Sequence, residues 1–112
     1  MADLRRIIEE VDAFREEREW AQFHNPKDLA ISISLEAAEL LEAFQWSGAD
    51  VSAVGREEKI EEELADVLIY CLYMAEAIGA DPLEIVERKV AVNRGKYPAE
   101  AARGTARKYT EL

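Results

Sequence analysis

Glu36-Ala37-Ala38-Glu39 and Glu63-Leu64-Ala65-Asp66 are the two stretches on which the reading of this 112-residue chain turns. Each sits in a segment whose apolar residues recur every three or four positions. Leu29, Ile33, Ala37, Leu40 and Phe44 surround the first; Ile60, Leu64, Leu68, Cys71, Ala75 and Ile78 surround the second. That period marks a helix with a buried stripe. Asn25-Pro26 supplies a capping side chain and a first-turn proline, so the earlier helix is predicted from Pro26 to Trp46. The later one is predicted from Arg56 to Ile78, with Gly79 as its stop. Between Leu64 and Ile78 it is apolar or aromatic nearly all round, which calls for burial on several sides and suggests a subunit interface.

Working outward, Leu4, Ile7, Ile8, Val11 and Phe14 give a first helix from about Asp3 to Phe23. Asp81-Pro82 repeats the cap-plus-proline start, opening a fourth helix that runs to about Arg94 and stops at Gly95. Residues 95–112, with Pro98, Gly104 and scattered charges, read as an irregular basic tail. No segment alternates strictly, so no sheet is expected. The predicted fold is all-α, a single domain over 1–112 built as a bundle of about four helices.

Composition narrows the function. A net charge of −10 argues against nucleic acid as the main partner, because duplex binding is driven by neutralising phosphates. The charge is uneven: residues 88–112 hold seven of the 14 Lys/Arg and two of the 24 Asp/Glu. An acidic body with a basic end suits a cation together with a small phosphate compound, although a solvated acidic surface has the same composition. No apolar run reaches the roughly 20 residues of a membrane span. The start of the chain lacks the apolar core of a secretory signal, and the lone Cys71 rules out an internal disulfide framework. A cytoplasmic location is expected.

The acids carry the chemistry. Three residues apart, each pair shares one helix surface. Glu36 lies about 60° and Glu39 about 120° to one side of the Ile33 direction, at the border of the stripe. If the two helices form an antiparallel hairpin, Glu39 and Glu63 each fall roughly 10 Å from the connection, with Glu36 and Asp66 one turn further. Four carboxylates at one level repel one another unless a cation joins them. Oxygen ligands without His or Cys select Mg²⁺, or Mn²⁺, over zinc, and Mg²⁺ bridges carboxylates to substrate phosphates. A di-iron bundle needs two Glu-x-x-His motifs, and His24 is the only histidine. Glu pairs on solvated helices are the competing explanation in a chain this rich in Glu.

With these residues on view, the chain resembles the MazG-like, all-α nucleoside triphosphate pyrophosphohydrolases, and within them the dCTP pyrophosphatase branch. The resemblance rests on Glu-x-x-Glu, 23 residues, then Glu-x-x-Asp. It extends to Trp20-Ala21-Gln22-Phe23-His24-Asn25-Pro26-Lys27, Phe44-Gln45-Trp46, Glu63 to Tyr70, Asn93-Arg94-Gly95-Lys96-Tyr97-Pro98 and Lys108-Tyr109-Thr110. It implies a homo-oligomer, typically a tetramer built as a dimer of dimers. It implies magnesium-dependent hydrolysis of a deoxynucleoside triphosphate, dCTP or a modified dCTP, to the monophosphate and pyrophosphate. Glu36, Glu39, Glu63 and Asp66 would then bind Mg²⁺, with one of them, Glu39 the first candidate, orienting or deprotonating the attacking water. Trp20 and Trp46 would enclose the base. His24 and Tyr70 would approach base, sugar or phosphate, and Asn93 and Tyr97 would contact the nucleotide. Lys89 and Lys96 are phosphate candidates by charge. Core packing for the aromatics and solvation for the cations are the alternatives. Two other functions stay open: a pyrophosphohydrolase for another nucleotide, and a non-catalytic helical oligomerisation or binding module.

Overall fold

A computed structural model describes residues 3–112, and every described element is helical. Helix α1 spans Leu4–Glu17, α2 Pro26–Glu42, α3 Glu57–Ala77, α4 Pro82–Lys96 and α5 Ala99–Ala102; 3₁₀ turns cover Trp20–Phe23 and Tyr109–Glu111. The chain divides into two compact units, Met1–Gly79 and Ala80–Leu112. No helix among the described residues is long and apolar enough to cross a membrane.

In the first unit α2 and α3 make the principal helix pair, and α1 lies against α3. The starts of the helices follow local chemistry. Asp3 accepts from the Arg6 amide at 2.9 Å, and Asn25 accepts from the Asp28 amide at 2.8 Å with Pro26 in the first turn. Both satisfy amides that a helix leaves unpaired.

Two boundaries of the first unit differ from the periodic reading. The first helix stops at Glu17, because Glu19 adopts the left-handed conformation (φ 55°) and the chain restarts as the Trp20–Phe23 turn. A glutamate carries no sequence mark of that break; the Gln22 amide braces it by donating to the Glu19 carbonyl at 2.8 Å. Helix α2 ends at Glu42 and passes into successive turns, with Phe44 N–H to Leu41 O at 2.9 Å and Ser47 N–H to Phe44 O at 3.1 Å. Gly79 (φ 69°) closes α3 as expected.

The buried interior is small: Leu29 of α2 is fully buried, and Tyr73 and Ala75 of α3 nearly so. The predicted α2 stripe turns inward at Leu29, Ile33, Leu40 and Phe44, while Ala37 is exposed. The predicted α3 stripe behaves differently. Leu64, Leu68, Cys71 and Ile78 are exposed, and the buried positions include Glu63 and Tyr73. Where a helix is apolar on every side, periodicity alone does not say which side a neighbour covers. Ile31, Leu35 and Leu41 of α2 are also exposed.

In the second unit Asp81 caps α4, accepting from the Leu83 amide at 2.9 Å. The helix runs through Gly95 to Lys96 and is followed by Pro98, which removes a backbone donor and sets a β/PPII bias on the residue before it. The expected irregular tail therefore begins later and includes one helical turn, Ala99–Ala102, in an alanine-rich stretch favourable to helix.

Candidate metal centre and adjoining cavity

Glu36 lies on the inward face of α2 between Leu29 and Leu40, and Glu63 is placed on α3 with only 7% of its surface exposed. Glu39, one turn on from Glu36, completes a group: Glu36, Glu39 and Glu63 each offer a carboxylate oxygen, all within 4.8 Å of one another. Glu39 is in the last turn of α2 and Glu63 in the second turn of α3, so the helix ends joined by residues 43–56 meet here.

Crowding of like charges shows in the titration of Glu39. A hydrogen bond with Glu63, then the charge of Glu36, raise its carboxyl to about 7. Glu63 goes the other way: the Lys59 ammonium, 2.8 Å from Glu63 Oε1, holds its carboxyl below the usual carboxylate range. Lys59 serves one oxygen only. Glu63 Oε2 and Glu36 Oε2 are buried without a hydrogen-bond partner. Two such oxygens converging with a third carboxylate fit a hard divalent cation, which would satisfy the unpaired acceptors and neutralise the repulsion.

Asp66 is three residues beyond Glu63, which turns it about 60° around the helix. It is exposed and faces a cavity of about 380 Å³ in place of joining the three-oxygen group. Along α3 the cavity is walled by Asp66, Ile69, Tyr70 and Tyr73. Val11 and Phe14 of α1 and Trp20 of the 3₁₀ turn face them. Trp20 meets the Phe14 ring edge-on, with centroids 5.6 Å apart. Tyr70 links cavity and acids: burial, then the charges of Glu36, Asp66 and Glu39, push its phenol above the usual value.

The remaining predicted contacts divide. His24 packs behind the cavity wall, its ring 5.1 Å from Tyr73 and 6.2 Å from Tyr70. Its Nδ1 is 3.4 Å from Arg15 Nη1, and burial followed by the Arg15 charge lowers its pKa. Trp46 is 89% exposed in the turns after α2, and does not share the Trp20 cavity. Lys89, Asn93, Lys96 and Tyr97 belong to the second unit. The first three, four and three residues apart, follow one face of α4. Lys96 Nζ lies 4.7 Å from the Tyr109 ring, and Tyr97 meets that ring edge-on at 6.0 Å.

Comparison with known proteins places this arrangement. The MazG-like family model matches residues 31–112, a span that holds all four acids. The chain belongs to the MazG-like family. Human dCTP pyrophosphatase 1 is 40% identical over 118 aligned positions, covering 100% of this chain and 67% of the relative; the mouse protein is 38% identical with the same coverage. A crystal structure of a pyrophosphatase from Archaeoglobus fulgidus superposes with a TM-score of 0.78 at 40% identity, covering 88% of this chain and 94% of the other.

In this MazG-like chain two groups, one in the cavity wall and one packed against it, were not expected from the sequence. Tyr73, 3% exposed, forms part of the wall, and its hydroxyl donates to the Val11 carbonyl at 3.3 Å. Arg15, 4% exposed, pairs with Glu76 at 2.9 Å and places its guanidinium 4.6 Å from the Tyr73 ring centre. One signal was present: Arg15 follows Val11 by four residues, so it extends the buried stripe of α1, where a cation needs a partner.

Proposed function

We propose that this chain is a magnesium-dependent nucleoside triphosphate pyrophosphohydrolase that takes dCTP, or a base-modified dCTP, to the monophosphate and pyrophosphate. The observation that carries the reading is the convergence of Glu36, Glu39 and Glu63 beside an aromatic cavity, with two buried carboxylate oxygens lacking partners. Names of the relatives support the substrate, since the similar curated proteins are dCTP pyrophosphatases.

Glu36, Glu39 and Glu63 would hold Mg²⁺, with Asp66 able to join from the cavity side. When bound, the ion neutralises phosphate charge and makes a coordinated water more acidic. Glu39, one turn from Glu36 at the end of α2, is our first candidate to orient the attacking water and receive its proton. Attack breaks the bond between the α- and β-phosphates, so the monophosphate and pyrophosphate separate. Trp20, Phe14 and Tyr70 offer ring faces and edges to the base and sugar, contacts that need no charge. Lys89, Asn93, Lys96 and Tyr97 are the candidate nucleotide contacts of the second unit, the lysines for phosphate.

We further propose a homo-oligomer, a tetramer arranged as a dimer of dimers, working in the cytoplasm. The exposed Ile31, Leu35 and Leu41 of α2, Leu64 and Leu68 of α3 and Ile78 just beyond it support assembly, because exposed apolar faces mark interaction surfaces.

Incubation with Mg²⁺ and a panel of canonical and 5-substituted triphosphates, with chromatographic product analysis, tests the substrate. The highest kcat/KM is expected for a deoxycytidine compound. A higher value for a purine or ribonucleotide would move the substrate elsewhere in the family.

A further inference from the structure

The cavity has a direction. Asp66 and Tyr73 both line it and stand seven residues apart on α3, about 10 Å along the helix. Asp66 lies at the acid end, one turn from Glu63. Tyr70 lies between them and feels the charges of Glu36, Asp66 and Glu39. A nucleotide whose phosphates lie toward the carboxylates therefore directs its base toward Tyr73.

Tyr73 is fixed more firmly than a packed aromatic needs. Its hydroxyl donates to the Val11 carbonyl of α1 at 3.3 Å. The His24 ring lies against it at 5.1 Å with 33° between planes, and Tyr70 meets it edge-on at 5.9 Å. The Arg15 guanidinium sits 4.6 Å from the ring centre and is itself tied to Glu76 at 2.9 Å. α1, α3 and the end of the Trp20 turn all hold this one ring, so it cannot swing aside for a larger ligand without breaking several contacts.

We propose that Tyr73 sets the size limit of the base pocket, closing the end remote from the carboxylates so that a single-ring base fits and a fused two-ring base does not. This rests on the reading of the cavity as the nucleotide site. The limit acts by exclusion: a cavity of about 380 Å³ stands near the lower bound of ligand pockets.

The experiment compares kcat/KM for dCTP and dATP in native protein, Tyr73→Phe, Tyr73→Leu and Tyr73→Met, with Mg²⁺ present. Leu and Met fill much of the buried space and so preserve the core, whereas each removes the ring. Native protein should disfavour dATP, chiefly through KM. Tyr73→Leu and Tyr73→Met should raise the dATP-to-dCTP ratio by about tenfold or more, the scale of discrimination by pocket shape. Tyr73→Phe keeps the ring and should hold the ratio near the native value. Native protein that treats dATP and dCTP alike overturns the proposal, as does an unaltered ratio in both the Leu and Met variants. If native protein hydrolyses no nucleotide, the nucleotide reading itself falls and this inference falls with it; turnover with an unmoved ratio removes the role of Tyr73 alone.

Discussion

Lys59 Nζ stands 2.8 Å from Glu63 Oε1, an ammonium held one turn away on the same helix as the most buried carboxylate of the site. It balances part of the acid charge before any divalent ion arrives, and both partners' titrations register it. Replacing Lys59 by Met removes that balance. The variant should melt a few degrees below native protein without Mg²⁺ and recover most of the loss at saturating Mg²⁺, because the ion supplies the missing charge. Thermal melts with and without Mg²⁺ check this; an equal Mg²⁺-induced shift in the two proteins would contradict it.

Proton and metal compete at Glu39. Its neighbours raise the carboxyl to about 7, so below that pH the folded protein holds a proton there that a ligated cation must displace. Ionising a group whose folded pKa is raised costs stability. Without metal, the contribution of Glu39 to stability is therefore full below the usual carboxylate range and is lost as pH rises through about 7. Added Mg²⁺ should remove that loss. Its apparent affinity should rise about tenfold per pH unit below 7 and level off above it. Calorimetric titration at pH 6 and pH 8, in buffers of different ionisation enthalpy, measures both affinity and proton release; an affinity indifferent to pH would remove Glu39 from the ligand set.

Arg15 joins α1 to α3 from inside. Its side chain is 5% exposed, paired with Glu76 at 2.9 Å, with Asp12 Oδ1 at 4.0 Å. Hydrogen bonding with Asp12, followed by burial, raises the Glu76 carboxyl, so the guanidinium lies beside a crowded acid pair. Arg15→Ala removes that cation and the packing on Tyr73 together. We expect a loss of about 2 kcal/mol, in the range for breaking a partly exposed pair and deleting a buried stem. Chemical denaturation measures it, and a change within about 0.5 kcal/mol, ordinary for a surface site, would show that the cluster is not structural.

The exposed leucines of α2 and α3 predict assembly. Native protein should run well above the 12.7 kDa of one chain, and Leu35→Glu with Leu68→Glu should lower its mass toward that of one chain by placing charge in an apolar contact. Light scattering after size exclusion reads both; a native protein of monomer mass would contradict it.

How much of this was legible in the sequence differs from residue to residue. Asn25-Pro26 and Asp81-Pro82 announced their helices because capping is local chemistry. The convergence of Glu36, Glu39 and Glu63 was legible because helical periodicity and a hairpin together fix which acids meet. Asp66 was expected at the same level, and the structure turns it to the cavity. The break at Glu19 left no trace, since nothing in a glutamate announces positive φ. The exposed α3 leucines were hidden by a helix apolar on all sides. Tyr73 and Arg15 were missed because their partners, Val11 and Glu76, are distant in sequence or chemically ordinary.

Phosphorus NMR of dCTP hydrolysis, run on native protein, Glu39→Gln and Glu63→Gln, with Mg²⁺ and again with chelator, joins the acid cluster to the chemistry. Native protein with Mg²⁺ should give dCMP and pyrophosphate as the only products. Chelator should stop the reaction, and each Gln variant should slow it at least about 100-fold, since neutralising a ligand weakens both metal binding and charge stabilisation. Formation of dCDP and orthophosphate, or undiminished turnover in both variants, would contradict the assignment of this cluster as the centre that cleaves the α–β bond.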